Sequence, residues 1–225
     1  SQISDLLPYA ARQRHRLALV RGLNTKQSGH GQGQVVMTTG RDNVNPGQNP
    51  HLGAVAAKCL TPDKLALPGH ILVRGAGMAG GTGAYLCPLF AAVTLEDGKP
   101  PQNSSLPDSI AGDVEARRQA FRQAADDRFA ARRRSADTDA YTFSYDQARD
   151  LMSRRDVFDV EKESAADLAK YGTSEFGRHC LLARRLLEND VPFVQVNHGN
   201  YDTHYENFDY CIEQLGEFDK PFASM

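Results

Sequence analysis

The sequence predicts an α/β chain, a largely parallel sheet flanked by helices with a helical insertion. Three observations predict it. Phe193-Val194-Gln195-Val196-Asn197 is short, β-prone and nearly all apolar, as a strand covered on both faces by helices is, and Ile71-Leu72-Val73 is a second such run. A segment with Phe176, Cys180, Ala183 and Leu187 at helical spacing leads directly into the first of these runs. Pro192 between them cannot continue a helix but can open a strand.

Taken in order, Ser4-Asp5 can cap a first helix carrying Leu6, Leu7, Ala10 and Ala11. Leu17-Ala18-Leu19-Val20 reads as the first core strand, and residues 22–34 are rich in Gly, Gln and Ser and read as loop. A helix follows through Val35-Val36-Met37 and stops at Thr39-Gly40-Arg41. Small residues before its start suit an anion, because free backbone N–H groups point outward there. Arg41 to Pro50 is turn-rich. His51 to Leu60 reads as a small-residue helix stopped by Thr61-Pro62, with His51 a capping or surface residue. The glycine-dense stretch Gly75–Gly83 matches neither the dinucleotide nor the Walker pattern and reads as a rim loop. Tyr85 to Leu95 reads as a strand interrupted at Pro88. Helices are expected over Asp113–Arg134, Tyr145–Arg154 and Glu161–Lys170; residues 108–170 together form a helical insertion or cap beside the site. The arginines of the first are interleaved with Glu115, Asp126 and Asp127, which favours a solvated face over a nucleic-acid patch. Thr173 or Ser174 caps the next helix, and Phe208, Ile212, Leu215 and Phe218 mark a final amphipathic helix ending near Pro221.

Composition sets the outer bounds. The 225 residues are 40% apolar and 24% charged with net charge −2, an ordinary globular balance that argues for neither a nucleic-acid nor a membrane partner. No run of apolar residues is long enough for a membrane span. The four cysteines, Cys59, Cys87, Cys180 and Cys211, lack the spacing of a zinc-thiolate site.

The chemistry concentrates after the Phe193 strand, where His198, Asp202 and His204 fall within seven residues. Ligands in parallel sheets bind beyond the carboxyl ends of the strands. Imidazole and carboxylate are ligands for zinc, manganese or iron. In an extended segment Asp202 and His204 project to the same side, and Gly199-Asn200 permits a bend returning His198 toward them. The alternative is that Asp202 or Thr203 caps a helix beginning near Tyr205 while His198 is a hydrogen-bonded loop residue.

CLLARRLLEND followed by VPFVQVNHGNYDTHYENF closely resembles the bacterial family called domain of unknown function 1501, as do the segments from His30 to Arg41, His51-Leu-Gly-Ala-Val and Leu67-Pro-Gly-His. That family is placed with the alkaline-phosphatase and sulfatase superfamily. The resemblance spans nearly the whole chain, with Asp202-Thr-His204 its most specific part and Tyr201 standing where the family usually has Trp. It implies that residues 1–225 are part of a single alkaline-phosphatase-like domain, an internal fragment without the strand and the Asp-His segment that would complete the site. It implies further that Asp202 and His204, with His198 as a weaker candidate, bind divalent metal (zinc, calcium, magnesium or manganese). Counting back from Thr39-Gly40-Arg41 by the sulfatase spacing lands on His30, where a Ser, Thr or Cys nucleophile is usual; His30 is therefore the candidate catalytic residue and Arg41 a candidate substrate-binding residue.

The expectation is a metal-dependent hydrolase of phosphate or sulfate esters, small-molecule or glycan, in the periplasm or outside the cell. A non-catalytic relative that binds a sulfated glycan or a protein partner is the alternative, supported by the histidine at position 30. An interrupted sheet exposing strand edges predicts poor solubility for the isolated chain.

Overall fold

The computed structural model describes residues 2–42, 49–62, 65–74, 81–97, 99–101, 104–133, 136–199 and 201–225, the side chains of 133 and 136–138 excepted. Three short strands, β1 (His70–Val73), β2 (Val93–Leu95) and β3 (Phe193–Val196), form a parallel sheet in the order β2-β1-β3. Among the described residues the helices are α1 (Pro8–Arg12), α2 (His30–Thr39), α3 (Leu52–Leu60), α4 (Gly112–Arg133), α5 (Ala136–Ser153), α6 (Ala165–Tyr171), α7 (Glu175–Glu188) and α8 (Asn207–Ser224).

The central strand explains the layering. All four residues of β1 are buried, and successive side chains point to opposite faces. Ile71 and Val73 join the main core with Phe176, Cys180, Leu181, Leu182 and Leu186 of α7. His70 faces the other way, against the start of α3, where Gly53 leaves room for its ring. In-register pairing brings Val73, Leu95 and Val196 level at the carboxyl end of the sheet. α7 is capped by Ser174, whose hydroxyl accepts from the Gly177 N–H at 3.0 Å. On its wetter side Arg184 and Arg185 pair with Glu163, and Arg184 also reaches Asp167.

Several expected elements take other forms. Leu17–Val20 is not a strand: both edges of β1 are occupied by β2 and β3, and the run stays largely exposed without a ladder partner among the described residues. Within Tyr85–Leu95 only Val93–Leu95 is strand. Pro88 lacks a ladder donor and Cys87 takes φ +92°, so the chain makes two 3-10 turns, Ala84–Leu86 and Pro88–Phe90. β3 lies at the sheet edge and is only half-buried, not covered on both faces. The first helix starts at Pro8, without a cap from Ser4 or Asp5. The third helix of the insertion is shorter, confined to α6, and packs on α7 and α8. α4 keeps a solvated face with the Arg117–Asp113 ion pair on it, whereas Arg122 turns toward α5 and pairs with both Asp126 and Asp146.

The final helix does not stop at Pro221. That proline forfeits one helical hydrogen bond, yet α8 runs on to Ser224 because its last turn is clamped by α6. Lys220 Nζ donates to the Ala169 carbonyl at 2.7 Å, and the Tyr171 hydroxyl donates to the Ser224 carbonyl at 3.0 Å.

Candidate functional site

Two elements distant in sequence meet at Asp202. α2 begins at His30 with Gly29 as its extended N-cap, so the imidazole projects from the first helical residue. The helix starts earlier than its apolar run suggests and ends where expected, with Gly40 in the left-handed conformation that glycine tolerates. The segment after β3 carries Asp202 and His204. His30 Nε2 lies 3.4 Å from Asp202 Oδ2, and His204 Nε2 lies 3.2 Å from Asp202 Oδ1. One carboxylate thus sits between two imidazoles. The three side chains are 84%, 60% and 75% exposed for His30, Asp202 and His204, so the group is open to solvent.

Asp202 does not cap a helix. α8 starts at Asn207 with Glu206 at the N-cap, and no side chain caps it. Thr203 instead donates to Asn207 Oδ1 through its hydroxyl. The carboxylate of Asp202 is left to the imidazoles.

His198 goes elsewhere. Its ring packs against Phe176 at 4.5 Å and Phe218 at 5.8 Å, its Nδ1 is 2.7 Å from the Tyr201 hydroxyl, and its Nε2 is 3.6 Å from a Glu217 carboxylate oxygen. Both nitrogens are engaged away from Asp202, and the ring fixes the turn onto the α7–α8 layer. Arg41 stands just past the far end of α2, about 16 Å along the helix from His30 at 1.5 Å per residue. The structure does not bring Arg41 to the group.

The donor set suits a divalent ion: imidazole and carboxylate are ligands for zinc or manganese. Adjacent ligands of a tetrahedral ion with bonds of ~2.1 Å lie about 3.4 Å apart. The His30–Asp202 and His204–Asp202 contacts are of that length but run to different oxygens, Oδ2 and Oδ1, as direct imidazole–carboxylate contacts. Among the described residues no three His, Cys, Asp or Glu side chains close into a metal shell.

Arg74 was not singled out by the sequence, yet it belongs to this end of the sheet. It follows Val73 directly, its N–H donates to the Leu95 carbonyl at 2.8 Å, and its carbonyl accepts from Asn197 Nδ2 at 3.1 Å. Its place after a predicted strand was the available signal.

A second imidazole pair lies at the opposite end of the sheet. His51 and His70 are buried and stacked, centroids 4.9 Å apart, with Phe193 edge-on to both. His51 does cap α3, its Nδ1 accepting from the Gly53 N–H at 3.0 Å, but from a buried position and not the surface. His70 Nδ1 lies 3.2 Å from the Phe90 carbonyl, an acceptor, which makes that nitrogen the donor. Burial pushes His70 down to about 4 and lowers His51 as well. Neutral, enclosed and remote from the carboxyl ends of the strands, this pair is packing.

The family described as "Protein of unknown function (DUF1501)" matches residues 1–225. No curated protein and no solved structure matches the chain.

Proposed function

The chain belongs to the DUF1501 family, and from that premise and the site geometry we propose a metal-dependent hydrolase of phosphate or sulfate esters, on an alkaline-phosphatase-like core in an exported protein. The observation that supports this is the juxtaposition of His30, at the start of α2, with Asp202 and His204, beyond the carboxyl end of β3. Asp202 and His204 would hold the ion, with His30 facing the same carboxylate. A divalent ion there would neutralise charge on ester oxygens and lower the pKa of a bound water.

The protein's own groups have distinct tasks. Asp202 orients both imidazoles through its two oxygens. His30 projects from a helix N-terminus whose first N–H groups lack intrahelical partners, so its surroundings favour an anion. Its exposed imidazole can take or give a proton at a bound ester. His198, locked by Tyr201 and the Phe176–Phe218 rings, holds the turn on which Asp202 sits.

The openness of the group and the exposed rings of Tyr205 and Phe208 beside it favour a second function, binding of a sulfated glycan or protein partner without turnover. Metal analysis by mass spectrometry separates the two. The hydrolase proposal expects one or two equivalents of a divalent metal in the protein and loss of metal in an Asp202→Ala/His204→Ala double variant. Protein that stays metal-free after reloading, with no metal-dependent ester turnover, refutes it and leaves the binding function.

A further inference from the structure

Arg74 is a non-glycine residue in the left-handed region, at φ +65°. Side chains rarely adopt that conformation, and strain of this kind is kept where the surrounding structure overrides it. Here the backbone is held from both sides, its N–H on Leu95 of β2 and its carbonyl on Asn197 after β3. The consequence is directional. The guanidinium lies across the carboxyl end of the sheet, with Nη2 3.8 Å from where a Cβ on Gly199 would stand, three residues before Asp202. Its carboxylate neighbour among the described residues, Glu175, is 3.8 Å from Nη1 and stays more than half exposed. This loose ion pair leaves the planar fork of donors available, and that fork matches a phosphate or sulfate better than any other cationic side chain does.

The geometry points to Arg74 as the residue that binds the anionic oxygens of a tetrahedral oxyanion at this site, phosphate or sulfate, the transferred group of the ester. The inference rests on the hydrolase proposal for the substrate's class but not on the metal. Arg74 takes the role expected of Arg41, from the strand end where Asp202 is also anchored. Anion recognition there explains why the chain keeps a strained arginine where glycine would fit without cost.

The test is calorimetric titration of the protein with inorganic phosphate and with sulfate, before and after chelation. Arg74→Gly relieves the left-handed backbone while removing the charge, so it is expected to melt no lower than wild type yet bind either anion at least about tenfold more weakly. Arg74→Lys, a point charge without the fork, is expected to fall between them. Wild-type affinity in folded Arg74→Gly protein, or no anion uptake by wild type, overturns the inference. Protein that stays metal-free after reloading, shows no metal-dependent ester turnover and still binds phosphate through Arg74 sinks the metal proposal and keeps this one. Metal loss in the Asp202→Ala/His204→Ala variant, with Arg74→Gly binding unchanged, does the reverse.

Discussion

The His70 imidazole shows how a single residue links the fold to pH. Desolvation holds it neutral, the Phe90 carbonyl opposes that weakly, and His51 adds to the lowering. An unfolded histidine titrates near 6.5, the folded one at about 4. The stability His70 contributes is therefore full above about 6.5, falls as pH drops through this window because the unfolded chain takes the proton first, and levels below about 4. The shift corresponds to ~3 kcal/mol. Urea unfolding at steps across that window is expected to show the decline, and His70→Phe should flatten it while starting less stable at neutral pH. Gly53 is the steric partner of this ring. A Cβ there would stand 2.2 Å from His70 Nε2 and 2.6 Å from the Phe193 ring. Gly53→Ala should cost ~1–3 kcal/mol by overpacking, although alanine is the better helix former. An unchanged urea midpoint would show that the ring can move aside.

Among elements, α1 depends most on a distant partner. Five residues are too few for a stable helix on their own, and Leu7 at its N-cap supplies no side-chain acceptor. The buried carboxylate of Asp219, on α8, accepts from the N–H groups of Tyr9 and Ala10 at 2.8 Å each. It acts as an N-cap delivered from the other end of the chain, where the helix dipole also favours negative charge. Asp219→Ala is expected to cost ~3 kcal/mol and to release α1, read as fast amide exchange at residues 9–12. Asp219→Asn, keeping one acceptor, should lose about half as much. Equal protection of residues 9–12 in wild type and Asp219→Ala would show that packing alone holds the helix.

At the scale of the molecule the sheet is small and its surroundings are apolar. Leu19 and Val20 lie exposed in the segment expected to be a strand, Leu23 lies exposed in the loop after it, and Tyr205, Phe208 and Ile212 lie exposed after the site. Surface of this kind drives association. The chain is expected to self-associate at micromolar concentration, giving a light-scattering mass above the 24.7 kDa monomer. A monodisperse monomer would overturn that expectation.

The sequence by itself determined α7 with its cap at Thr173 or Ser174, the short apolar β1 and β3, the Gly40 stop of α2, and the stretch in which Asp202 and His204 fall. These are local matters of periodicity, capping and strand propensity, and neighbouring residues carry them. The tertiary structure alone decided that Leu17–Val20 finds no ladder, that α8 survives Pro221, and that His198 turns into the packing. It also placed His30 against Asp202, strained Arg74 over Gly199, and capped α1 from α8. Each of these depends on which groups meet across tens to hundreds of residues, and a strand, a cap or a charge takes its role only from the partner it meets.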